Sequence, residues 1–155
     1  MSHFYLDASA VVKRYSPETG SAWVIAQVAP PLGHTIVLSE ITLAEVAAAL
    51  AAKHRASNGI TRKERDDAVA LFLNHSDAEY TLMAITRSII DRAVSLTQGH
   101  RLRGYDAVQL ATALIASETL TAARLSRLTF VAADDDLLAA ADAEGLLTEN
   151  PNLYP

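Results

Sequence analysis

Short apolar runs alternate with longer stretches in which apolar residues recur every three to four positions. Phe4-Tyr5-Leu6, Thr35-Ile36-Val37-Leu38, Tyr80–Ile85 and Leu128-Thr129-Phe130-Val131-Ala132 are short and rich in β-branched or aromatic residues. Such runs are the mark of buried parallel strands. Between them the spacing predicts helices. One runs from Asp7 to about Tyr15. A second starts with Ser16 as N-cap and Pro17 at its first position, and stops before Pro30-Pro31. Residues 40–56 form an alanine-rich helix ending near Asn58-Gly59, and Thr61-Arg62-Lys63-Glu64 reads as a capping box opening a helix to about His75. Thr86 caps a helix through Leu96, residues 105–117 form another, and Asp134 opens a last one stopped by Gly145. The tail from Asn150 to Pro155 reads as irregular. Strands alternating with helices give an α/β sandwich with a short, mostly parallel sheet. The two helices between the second and third strands form an inserted αα-hairpin.

The 155 residues fit one domain, expected to span 1–155. Half of the residues are apolar and 20% charged, which argues against disorder. With no cysteine there is no disulfide scaffold, zinc–thiolate site or thiol nucleophile. No apolar run is long enough for a membrane span and the N-terminus lacks signal-peptide character, so a cytoplasmic location is expected. The net charge of −5 is unevenly placed. Residues 1–103 carry eleven Lys/Arg and ten Asp/Glu, whereas 104–155 carry two Arg and eight Asp/Glu. An acidic chain is a poor simple electrostatic binder of nucleic acid. Either these acids form a solvated face, or some gather at one site and repel until a cation binds.

Asp7 directly follows the first strand, Asp134 follows the fourth, and Asp106 opens a helix after Gly104. Each has a plain reading as a helix cap. Glu45 does not, because it lies within Ile41-Thr42-Leu43-Ala44-Glu45-Val46-Ala47-Ala48-Ala49-Leu50, apolar nearly all round. A buried carboxylate there needs a cation, and no basic residue lies within one turn. Three Asp and one Glu, without Cys, suit Mg²⁺ or Mn²⁺. A carboxylate-held cation of this kind supports phosphodiester hydrolysis by an activated water. The five histidines show no metal-ligand spacing, and Ser9 has neither a partner His nor a nucleophile elbow.

Tyr5-Leu6-Asp7-Ala8-Ser9-Ala10-Val11-Val12-Lys13-Arg14-Tyr15 resembles the opening motif of PIN-domain ribonucleases, and more narrowly of the VapC toxins of bacterial toxin–antitoxin pairs. Leu43-Ala44-Glu45-Val46 resembles the second motif and Tyr105-Asp106-Ala107-Val108-Gln109-Leu110-Ala111 the third. Phe130-Val131-Ala132-Ala133-Asp134 resembles the fourth. The resemblance implies a PIN-like fold and an Mg²⁺- or Mn²⁺-dependent endoribonuclease. Asp7, Glu45, Asp106 and Asp134 would be its catalytic and metal-binding quartet, with Asp136 a further contributor and Ser9, behind the ligands, helping to hold a metal-bound water or ligand. It also implies an RNA substrate, a cognate antitoxin and a homodimer. Ala132 departs from the Ser or Thr common at that position in the family, which leaves a catalytically impaired RNA- or partner-binding module as one alternative. Another metal-dependent phosphohydrolase is a second. Arg101 and Arg103, beside His100 and just before Asp106, are candidate RNA contacts or helix-end charges. Lys13 is a candidate RNA contact or a salt-bridge partner of Glu18. Trp23 and Leu71-Phe72-Leu73 are interface or core residues.

Overall fold

The computed structural model describes residues 1–155. Five strands, β1 (His3–Leu6), β2 (Thr35–Ser39), β3 (Thr81–Met83), β4 (Leu128–Val131) and β5 (Leu147–Glu149), form one sheet in the order β3-β2-β1-β4-β5. Every neighbouring pair is parallel. Seven helices surround it: α1 (Ala8–Val11), α2 (Ser21–Val28), α3 (Ile41–Arg55), α4 (Arg62–Ala78), α5 (Arg87–Gly99), α6 (Gly104–Ala122) and α7 (Asp135–Ala143). The expected α/β sandwich and its αα-hairpin, α3 with α4, are both present.

Alternation along the strands divides the core. Tyr5, Val37 and Phe130 point to one face, where they pack with α5, α6 and α7. Leu6, Ile36, Leu38 and Val131 point to the other, beneath α1 to α4. Phe72 of α4 is fully buried there, so it is core rather than interface, while Leu71 and Leu73 stay exposed.

Local signals hold where they are self-contained. Thr61 and Glu64 form both halves of the capping box, and Thr86 accepts the Ile89 N–H. The start of α2 is a correction. Ser16 is not its cap, because α2 begins at Ser21 behind Gly20 in the left-handed region (φ +85°). A Cβ on Gly20 would lie 2.4 Å from the Pro151 carbonyl oxygen, so the C-terminal turn packs where only glycine fits. Ser16 instead accepts a hydrogen bond from Lys53 Nζ at 3.1 Å. The helix from Asp7 also differs: α1 ends at Val11 and passes into a 3₁₀ turn, Val12–Arg14. α3 is not apolar all round in effect. It buries the stripe Thr42, Val46 and Leu50, and alanines 44 and 48 face solvent at little cost. β5 was not expected. It is a three-residue edge strand with no apolar run of its own, held by pairing to β4. The tail after it is a 3₁₀ turn, Pro151–Leu153.

The chain winds outward from β1 through β2 to β3, then crosses to β4 on the other side of β1. The strand order therefore reverses between β1 and β4. In parallel sheets the crevice beyond the carboxyl ends of the strands at such a point is where ligands bind.

Candidate active site

Asp7 and Asp134 flank that crevice. Asp7 N–H continues the sheet by donating to the Val131 carbonyl at 3.1 Å, and its Oδ1 caps α1 by accepting the Ala10 N–H at 3.0 Å. Asp134 caps α7 through Oδ1, which accepts the Leu137 N–H at 3.0 Å. The capping reading and the site reading therefore coexist: one oxygen of each carboxylate serves the helix, while Asp7 Oδ2 stays unpaired and Asp134 Oδ2 faces Arg103. Asp7 Oδ2 has no protein partner, yet no buried side-chain polar atom in the chain is unpaired. That oxygen is therefore not sealed from solvent.

Ser9 ties the two sides of the crevice together. Its hydroxyl donates to Asp7 Oδ1 at 2.6 Å and accepts the Ala133 N–H at 2.9 Å. The hydroxyl proton is thereby committed to Asp7. The corner that Ala132 leaves without a side-chain hydroxyl is held from Ser9 instead.

Asp106 sits in the first turn of α6, where it is not the cap; Arg103 occupies that position. Arg103 Nε donates to Asp106 Oδ2 at 3.1 Å, and its terminal nitrogen lies 3.9 Å from Asp134 Oδ2. The guanidinium also sits 4.8 Å from the Tyr105 ring centroid. A positive charge thus already spans two of the four carboxylates. Asp106, Asp134 and Asp136 line a cavity of about 460 Å³ with His100, Arg101 and Arg103. His100 is tied to Glu144 at 2.8 Å. Asp136 is exposed on the first turn of α7, and Asp135 beside it accepts from Asn150 at 3.1 Å.

Glu45 has no Lys or Arg partner. Its Oε1 accepts from Gln109 Nε2 at 2.7 Å, and that same nitrogen donates to Thr42 at 2.9 Å. The hydroxyl of Tyr5 closes the set by donating to Gln109 Oε1 at 2.5 Å. These three residues escape sequence reasoning. The one available signal is a Gln one turn beyond Asp106 in an otherwise alanine-rich helix.

The carboxylates feel one another. Burial, reinforced by Glu45 and Asp106, raises the Asp7 carboxyl to about 7, against the hydrogen bonds from Ser9 and Ala10. Burial also raises Glu45, with Asp106 adding to it. Asp106 is raised by burial and by Asp134, and Arg103 opposes this. No three acidic or histidine side chains already converge as a ready-made cation cage. Asp106, Asp134 and Asp136 share the cavity, whereas Asp7 and Glu45 do not line it; by donor chemistry alone, carboxylates without a thiolate are the ligands a hard divalent cation takes.

Lys13 requires a correction. It is buried, and its ammonium donates to Glu18 at 2.9 Å, the Thr19 carbonyl at 2.8 Å and Asn152 at 2.8 Å. With all three donors engaged it has none for RNA, and the Glu18 salt bridge is what forms. Two basic residues at the start of α4 are likewise paired with local acids, Arg65 with Asp66 at 2.6 Å and Lys63 with Asp67.

The PIN domain family matches residues 4–143. Over 110 residues, 71% of this chain and 74% of the relative, the sequence is 36% identical to Ribonuclease VapC45 of Mycobacterium tuberculosis (strain CDC 1551 / Oshkosh). Among solved structures, the chain is similar to one in the structure of FitAB bound to an IR36 DNA fragment (TM-score 0.64, 16% identity, 96% of this chain and 94% of that one). It is also similar to Mycobacterium tuberculosis VapC20, described as a sarcin-ricin loop cleaving toxin (TM-score 0.59, 16% identity, 98% and 99%). At these identities the two structures speak for the fold, and the sequence matches speak for the family. The chain belongs to the PIN-domain family, within the group of VapC ribonucleases.

Proposed function

We propose that this chain is a divalent-cation-dependent endoribonuclease and the toxin half of a toxin–antitoxin pair. The observation that carries the chemistry is the arrangement at the strand-order reversal. Asp7 and Asp134 flank the crevice, Asp106 and Glu45 act electrostatically on Asp7, and Arg103 spans Asp106 and Asp134. Asp7, Glu45, Asp106 and Asp134 would hold Mg²⁺ or Mn²⁺, with Asp136 at the cavity rim. Such a cation, when bound, lowers the pKa of water and offsets charge developing on a phosphodiester. The chain's own residues do the rest. Ser9 fixes the Asp7 carboxylate and the β4 loop in one geometry. Gln109 fixes Glu45. Arg101 and Arg103 line the cavity and offer cationic groups to an RNA backbone phosphate.

The family and the toxin–antitoxin complexes among its structural likenesses support an antitoxin partner. A homodimer belongs to the same proposal, and exposed Ile90 and Val94, one turn apart on α5, offer it an apolar face. No helix is long and apolar enough to cross a membrane.

Purified protein should cut RNA with Mg²⁺ or Mn²⁺, stop on chelation and resume when the metal is restored. Cleavage indifferent to chelation would overturn the mechanism. Expression should arrest growth, and co-expression of the neighbouring gene's product should relieve it. Unimpaired growth with active enzyme present would remove the toxin reading.

A further inference from the structure

We propose that Tyr5, a core residue two positions before Asp7, sets the orientation of Glu45 through Gln109. In this proposal Tyr5 and Gln109 are positioning residues for a cation ligand. It rests on reading Glu45 as such a ligand.

A carboxamide has two unlike ends. The Gln109 oxygen can only accept and the nitrogen can only donate. Here the oxygen faces the Tyr5 hydroxyl at 2.5 Å, and the nitrogen serves Thr42 at 2.9 Å and Glu45 at 2.7 Å. Tyr5, Thr42 and Gln109 are all buried, so water cannot substitute for a missing partner. Turned over, the amide would set its oxygen against the Glu45 carboxylate, acceptor against acceptor. Glu45, which can only accept, selects this orientation, and the Tyr5 hydroxyl reinforces it by donating to the oxygen from the far side.

The consequence reaches the crevice. With Gln109 engaging Glu45 Oε1, the other carboxylate oxygen has no protein partner and is left for a ligand. The link also joins three elements that carry, or lead directly into, one acid of the quartet each. Tyr5 lies on β1 ahead of Asp7, Gln109 lies one turn after Asp106 on α6, and Thr42 lies one turn before Glu45 on α3. A hydroxyl in the core therefore reports on, and maintains, the spacing of the site.

The test compares Tyr5→Phe, Gln109→Leu and the double variant by Mn²⁺ titration calorimetry. Both substitutions keep side-chain volume, and circular dichroism with thermal melting confirms folding. Partners outside the ligand set are worth about 10–100-fold in metal affinity. Gln109→Leu should weaken Mn²⁺ binding about 10-fold and Tyr5→Phe by a smaller factor. The double variant should bind no more weakly than Gln109→Leu. Unchanged affinity in Gln109→Leu, or an equal Tyr5→Phe loss on both backgrounds, would overturn the proposal, because a packing effect would persist without Gln109. NMR of the metal-free protein provides an independent readout. The nuclear Overhauser contact between the Gln109 amide protons and Thr42 should be present in the wild type and weakened in Tyr5→Phe. Its survival at full strength in Tyr5→Phe would overturn the orientation lock. A wild type that binds no Mn²⁺ but shows the expected change in that contact would sink the cation reading and support the lock.

Discussion

Asp7→Asn should lower RNA cleavage by at least about 100-fold while making the metal-free protein more stable at pH 8. The loss follows from the proposed role of Asp7 as a direct cation ligand, since partners one step further out already cost 10–100-fold. The gain follows from burial. The Asp7 carboxyl lies at about 7, above its ordinary 3.8, so the folded state resists ionisation that the unfolded chain undergoes freely. A raised carboxyl contributes stability below its unfolded value, and that contribution is lost as pH rises toward the folded value. Between pH 4 and 7 the metal-free wild type should therefore weaken, by roughly 2–4 kcal/mol in all. Asparagine keeps an oxygen for the Ala10 N–H and the Ser9 hydroxyl, but has no charge to bury. Its advantage in melting temperature should be full at pH 8 and vanish near pH 4. A variant less stable than the wild type at pH 8 would refute this reading of Asp7.

Lys13→Ala should behave in the opposite sense, costing stability and leaving RNA binding by the folded protein unchanged. Glu18, the Thr19 carbonyl and Asn152 all lose a charged donor on a buried side chain. Breaking a buried pair costs about 3–5 kcal/mol. Glu18 is partly exposed and keeps Lys53, so roughly 2–4 kcal/mol is expected here. For a chain of this length that is a fall of about 5–15 °C in melting temperature. Weaker RNA binding with an unaltered melting temperature would restore Lys13 as an RNA contact.

These two residues show which features the sequence made legible. Asp7 was readable because a carboxylate directly after a buried strand has few explanations, and strand ends are where α/β proteins place sites. The Thr61–Glu64 capping box was readable because both partners lie within one turn. The Lys13 partner Asn152 lies 139 residues away, and Gln109 lies 64 residues from Glu45. Such pairings exist only once the sheet has brought α3, α6 and the C-terminal turn together. β5 was invisible for a related reason: Leu147-Thr148-Glu149 has no strand pattern of its own and is defined by the edge of β4. The α2 start failed because Ser16-Pro17 has the local chemistry of a cap, whereas Lys13 and the packing of Gly20 on Pro151 hold that stretch as a loop. Composition needed reinterpretation too. The acidic excess that argued against nucleic acid sits partly in the crevice itself, where a cation would offset it.

Crystals soaked in Mn²⁺ and measured at a wavelength where manganese scatters anomalously test the four-carboxylate site most directly. An anomalous peak among Asp7, Glu45, Asp106 and Asp134, with Arg103 drawn off Asp106, is the expected result. No peak in that crevice at saturating Mn²⁺, with Arg103 still bridging Asp106 and Asp134, would contradict it.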